Sequence, residues 1–130
     1  MAFTPSRLSS IGAASGALAV IIGAFGAHGL KGLLRAGDIT QRQFEAFGTG
    51  ANYHLLHSVL LVVIGLLPAR TLRRASAIAV IIGIVLFSGS LYIYGITGAF
   101  TAARITPIGG LSYILGWSLL ALMLWKKPAL

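Results

Sequence analysis

Four long apolar runs, 8–27, 44–67, 75–94 and 107–125, take up most of a chain of 130 residues. Each is close to the ~20 residues that a helix rising ~1.5 Å per residue needs to cross ~30 Å of hydrocarbon. Inside lipid the backbone must satisfy its own hydrogen bonds, and unbroken runs of this length do so as helices. Charged residues make up 9% of the chain, against about 25% in a soluble domain, so little remains from which to build a water-soluble fold. The chain therefore reads as an all-α integral membrane protein. It is a single membrane domain over 1–130, an antiparallel bundle of four transmembrane helices. Arg7 ahead of the first run has the layout of a signal peptide. The run is longer than a usual apolar h-region, however, and three more follow, so it is taken as a span.

The connections carry structural signals of their own. Between the first two spans, Leu30, Leu33 and Leu34 interleave with Lys31 and Arg35 in a short amphipathic helix that Gly37 would close. Thr40 with Gln43 resembles a capping box opening the second span. Pro68 stops that span, and Pro107 suits the first turn of the fourth.

The net charge of +8 comes from ten Lys and Arg against two acids, and the cations sit at the ends of the apolar runs. That placement points to anionic lipid headgroups as partners and excludes a nucleic-acid surface, which needs a basic patch or stripe. Arg7, Arg70, Arg73, Arg74, Lys126 and Lys127 fall on one side of the membrane, and Lys31, Arg35, Arg42 and Arg104 on the other. The side richer in Lys and Arg is cytoplasmic, which puts both termini there. Trp125 near one face and Tyr92 and Tyr94 near the other fit interfacial anchors.

Helices in lipid associate through close packing of small residues. Gly12, Gly16, Ala19, Gly23 and Gly26 repeat every three or four positions and make such a seam on the first span. Shorter seams follow at Ala51, Ser58 and Gly65, at Ala79, Gly83 and Ser90, and at Gly109, Ser112 and Gly116. The same seams would serve a homo-oligomer or a larger membrane complex.

Counted along the helices, Asn52, Tyr53, His54, His57, Ser88, Ser90 and Tyr113 gather in the half of the membrane away from the termini, beneath His28, Glu45 and Arg104. The other half is nearly bare of polar groups. Imidazoles at membrane depth need partners or a cavity, which makes this layer the candidate site. His54 lies on the second seam and is expected to bond a neighbouring helix through Ser88, Ser90 or Tyr113, while His57 shares a face with Tyr53 and Leu61. Glu45, in the first turn of its helix, is expected to pair with Arg42 or Arg104.

Cofactor chemistry finds little support. With no Cys there is no disulfide, thiolate or Cys-based metal site. Bis-His haem needs rings on opposite sides of the iron, which two histidines of one helix cannot supply; a symmetric dimer pairing His57 with its mate keeps haem as an alternative. No metal-ligand spacing, carboxylate pair or nucleophile with a base is present, so no catalytic residue is assigned.

Four motifs in order, Gly23-Ala-Phe-Gly-Ala-His28-Gly, Tyr53-His-Leu-Leu-His57, Leu86-Phe-Ser-Gly-Ser-Leu-Tyr92, and Thr106-Pro-Ile-Gly-Gly110 with Gly116-Trp117, resemble those of the domain-of-unknown-function 423 family. These are small bacterial inner-membrane proteins of the YgdD and YwdK type, similar to a mitochondrial transmembrane protein of animals. The resemblance implies a four-span protein of the bacterial cytoplasmic membrane with no assigned activity. Three functions then stand in order. The first is a non-enzymatic scaffold or accessory subunit. The second is a binding protein holding a lipid, quinone or similar amphiphile in an outward polar pocket among the layer residues. The third is a transporter or channel, for which the apolar half offers no path.

Overall fold

The computed structural model describes residues 6–126, which leaves Lys127, one cation of the orientation count, outside the described residues. Four helices long and apolar enough to cross a membrane run antiparallel: Arg7–Ala36, Gln41–Leu66, Thr71–Thr97 and Phe100–Trp125. Among the described residues there is no strand. Each helix outruns its apolar stretch, because polar residues continue the backbone hydrogen bonding beyond the hydrocarbon.

The first helix differs most from expectation. Its amphipathic segment, Lys31–Ala36, is not a separate surface helix; a π turn at Gly26–Leu30 carries the chain into it without a break. No proline interrupts this stretch, and the wider turn brings Leu30 fully inside, against Ile39 and Phe47. Gly37 then ends the helix at φ 82°, with its N–H bonded to Leu34 O and that of Asp38 to Leu33 O. This is the paired C-terminal closure that favours glycine. The capping box forms as expected: Gln43 N donates to Thr40 Oγ1 (3.2 Å) and Thr40 N to Gln43 Oε1 (3.0 Å).

A second π turn, Ile84–Ser88, interrupts the third helix, and the short turn Phe100–Ala103 precedes the main run of the fourth, Thr106–Trp125. Neither has a composition that marks it in the sequence. The third helix continues to Thr97, so Tyr92 lies below its end and turns inward instead of serving as an interfacial anchor.

The small-residue seams meet in pairs. On the first helix a Cβ at Gly12 would stand 2.7 Å from Val62 N and 2.9 Å from Ser58 O, and Gly26 seats Phe47. On the fourth, Gly109 lies against the backbone of Phe87, and Gly116 against Val80. Serine hydroxyls lace the same seams to carbonyls of the facing helix: Ser6 to Gly65 O (2.7 Å) and Ser9 to Val62 O (3.2 Å) in one pair, Ser76 to Gly116 O and Ser112 to Ala79 O (both 2.7 Å) in the other. Such bonds between helices in lipid contribute about 0.6 kcal/mol each, up to ~1.7.

Apolar clusters close both ends. Leu60, Leu61, Ile64, Val80, Leu120 and Met123 fill the end that holds the termini. Leu30, Ile39 and Phe47 fill the loop end. The histidine layer lies between them.

Candidate functional site

His54 is 4% exposed and bridges two other helices. Its Nε2 is 3.0 Å from Ser15 Oγ on the first helix, and its Nδ1 is 2.9 Å from the Tyr92 hydroxyl on the third. Proton positions follow by elimination. Ser58 donates its one proton to the His54 carbonyl (2.7 Å), so in its 2.7 Å bond with Ser15 it accepts. Ser15 has then spent its proton, and His54 Nε2–H must donate to it. In the neutral ring Nδ1 is left to accept from Tyr92. The chain Tyr92 to His54 to Ser15 to Ser58 to the His54 carbonyl thus runs in one donor sense, with every proton placed.

His57 has the opposite tautomer. At 2% exposure its Nδ1 is 2.7 Å from the Tyr53 carbonyl, one turn back, and must donate to it. Trp117 Nε1–H, which can only donate, reaches Nε2 at 3.2 Å from the fourth helix. The His57 ring lies flat on Tyr113 (centroids 3.6 Å apart, planes at 16°), while Tyr53 packs against both His57 and Phe87. The second helix is therefore tied by His54 to the first and third and by His57 to the fourth.

The remaining layer residues do not converge on one cavity. Ser88 meets the Tyr113 hydroxyl at 3.3 Å, and Ser90 meets Thr106 Oγ1 at 2.7 Å. These three sites, predicted as partners of His54, thus pair elsewhere, because the π turn sets Ser88 and Ser90 toward the fourth helix. Asn52 is exposed and lines a cavity of about 250 Å³ with Gly23, Glu45 and Phe47; Tyr53 is 43% exposed at the bundle surface. His28, Glu45 and Arg104 are exposed at the loop end. The partner the structure gives Glu45 is Gln41, whose Nε2 donates to it at 2.8 Å, in place of Arg42 or Arg104. Arg104 instead stands over the Phe100 ring, 5.9 Å from its centroid.

Sequence reasoning missed Ser15 and gave Tyr92 a surface role. The signal for Ser15 was present: it stands three residues after Gly12 and four before Ala19, on the seam itself. Trp117 was visible only as part of a motif.

No buried side-chain nitrogen or oxygen among the described residues lacks a hydrogen-bond partner. Among them, too, no three His, Asp or Glu side chains gather as a metal site would require. His57 cannot serve a haem shared with a second copy unless it gives up Trp117.

Residues 22–110 match the family described as a protein of unknown function (DUF423). The chain belongs to this family. It is 39% identical over 111 residues to the UPF0382 membrane protein YwdK of Bacillus subtilis, covering 82% of this chain and 86% of that one. To the UPF0382 inner membrane protein YgdD of Escherichia coli it is 37% identical over 121 residues, covering 88% and 87%. A UPF0382 membrane protein of Haemophilus influenzae is 36% identical over 120 residues, covering 91% and 93%. No solved structure matches. The DUF423 chain is thus a multi-pass membrane protein of an uncharacterised family. Both π turns and the ring bonds of His54 and His57, except that of His54 to Ser15, fall on or beside the four motif runs that carried the resemblance.

Proposed function

We propose that this DUF423 protein is a non-enzymatic membrane scaffold or accessory subunit, and that its buried histidines serve architecture. The observation that carries this reading is the saturation of both rings: all four ring nitrogens are spent on the protein's own groups. A general base or a ligand contact needs at least one nitrogen free to meet substrate. The same saturation weighs against an amphiphile pocket built on His54 and His57.

The first helix supports a role in assembly. Only 17% of its apolar window is buried within the chain, against 50% for the second helix, so most of its surface is offered to neighbours in the membrane. The cation count favours both termini in the cytoplasm, and the name of the Escherichia coli relative supports the bacterial cytoplasmic membrane as the location. Reporter fusions at the two termini, active only on one side of the membrane, test that placement.

Native mass spectrometry of the protein in mild detergent, with an absorption spectrum of the same sample, tests the function. A defined homo-oligomer or a stoichiometric complex with another membrane protein is expected. A monomer carrying a small molecule or a Soret band that is lost in His54→Ala or His57→Ala overturns the proposal.

A further inference from the structure

Independently of the scaffold reading, we infer a binding site for the headgroup and one acyl chain of an anionic phospholipid at the loop end of the bundle. A cavity of about 410 Å³ opens there between the second, third and fourth helices, lined by Arg42, Phe87, Leu91, Tyr94, Phe100 and Pro107 among others. Sites for small molecules span roughly 300–1,000 Å³ and combine apolar walls with a few placed polar groups. This one has that character: aromatic and aliphatic walls, with one cation at the rim.

Three observations select the occupant. Arg42 stands in the first turn of the second helix, at the level of lipid headgroups, while Phe87 and Leu91 lie further along toward the middle of the membrane. Arg104 adds a second cation beside the mouth, held over Phe100, which itself lines the cavity. No acid lines it: Glu45, three residues from Arg42, borders the separate cavity beside the first helix and bonds Gln41. An anion with a long apolar tail matches a cationic rim above a greasy trough. A neutral quinone would leave the arginines unmatched, and a soluble anion would leave the walls unmatched.

The full-length protein in mild detergent is titrated with palmitoyl-oleoyl phosphatidylglycerol, or with phosphatidylcholine of the same chains, and bound lipids are counted by native mass spectrometry. One tight phosphatidylglycerol is expected, with phosphatidylcholine weaker and excess inorganic phosphate unable to displace it. Arg42→Gln is expected to weaken the first lipid about fivefold, equivalent to the ~1 kcal/mol that one cation contributes near an anionic lipid. Ala103→Trp, which fills the trough, is expected to abolish that binding, and Lys31→Gln, on the same face but outside the cavity, to leave it intact. Ala46→Leu replaces Ala103→Trp if the latter does not fold. Equal binding of the two lipids, displacement by phosphate, equal loss in Lys31→Gln, or retention in the trough-filling variant overturns the site.

Discussion

Adjacent glycines on the fourth helix offer a controlled test of how the bundle is held together. A Cβ at Gly109 would fall on Phe87 N and stand 2.7 Å from Phe87 Cα and 2.8 Å from Leu86 C. Carbon contacts are comfortable at about 3.5–4.0 Å, so the third and fourth helices would have to part by about 1 Å at their crossing. All three atoms are backbone, and no rotamer change relieves them. Overpacking costs ~1–3 kcal/mol, and a backbone clash belongs at the upper end. Against this, alanine gains about 1 kcal/mol over glycine in helix propensity. A net loss of about 2 kcal/mol is therefore expected for Gly109→Ala. At Gly110 the nearest atoms are the Phe87 ring carbons Cδ2 at 3.8 Å and Cε2 at 3.9 Å, an ordinary contact. Gly110→Ala is expected to be neutral or up to about 1 kcal/mol stabilising. Reversible unfolding in detergent micelles with added denaturant, followed by tryptophan fluorescence and far-UV circular dichroism, measures both. Equal stability of the two variants would refute the claim that backbone approach at Gly109 joins these helices.

The other helix pair should behave alike: Gly12→Ala, against Val62 N and Ser58 O, is expected to cost about 1–2 kcal/mol, while Gly48→Ala, with nothing within 4 Å, costs none in the same assay. A double-mutant cycle on His54→Ala and Tyr92→Phe is expected to give a coupling of about 0.6–1.7 kcal/mol, and a coupling near zero would remove the bond from the account. Trp117→Phe removes the donor to His57 along with part of the ring, leaves the buried His57 Nε2 without a partner, and should cost about 1–3 kcal/mol, with no change in helix content. Nitrogen-15 spectra of labelled histidine are expected to show the proton on Nε2 of His54 and on Nδ1 of His57; the reverse pattern would undo the proton assignments derived from their partners.

The fold was largely legible because lipid allows few solutions. Run length sets the number of helices, and the glycine spacing from Gly12 to Gly26 and at Gly109 and Gly116 shows which faces meet. Thr40 and Gln43 are read correctly because a capping box depends on neighbours in sequence. The π turns were not legible. They add one residue to a turn without requiring a special residue, yet Leu30 turns fully inward at the first, and at and after the second Ser88 and Ser90 bond the fourth helix and not His54. The partners of His54 were missed for a related reason: Ser90 and Tyr92 lie about 200° apart around the third helix, and spacing alone does not say which of the two faces the second helix. Glu45 shows a third limit, since the two expected cations, Arg42 beside it and Arg104 across the loops, lost to a neutral Gln41 one turn away on the same helix face.

The pairing of seams has a consequence for how the molecule is made. Most contact is between the first and second helices and between the third and fourth, so the chain is two hairpins, each complete as soon as its later strand of helix leaves the ribosome and enters lipid. The glycine approaches and serine bonds that close a hairpin require nothing from the other half. Of the bonds at the two rings, His54 to Tyr92 and Trp117 to His57 are the ones that span the halves, and they form only when both hairpins have arrived and docked. The histidine bonds therefore form late in biogenesis, together with the approaches of Gly50 to Leu91 and of Gly95 to Phe47 that also join the halves, and substitutions there should loosen the docking of correctly inserted hairpins.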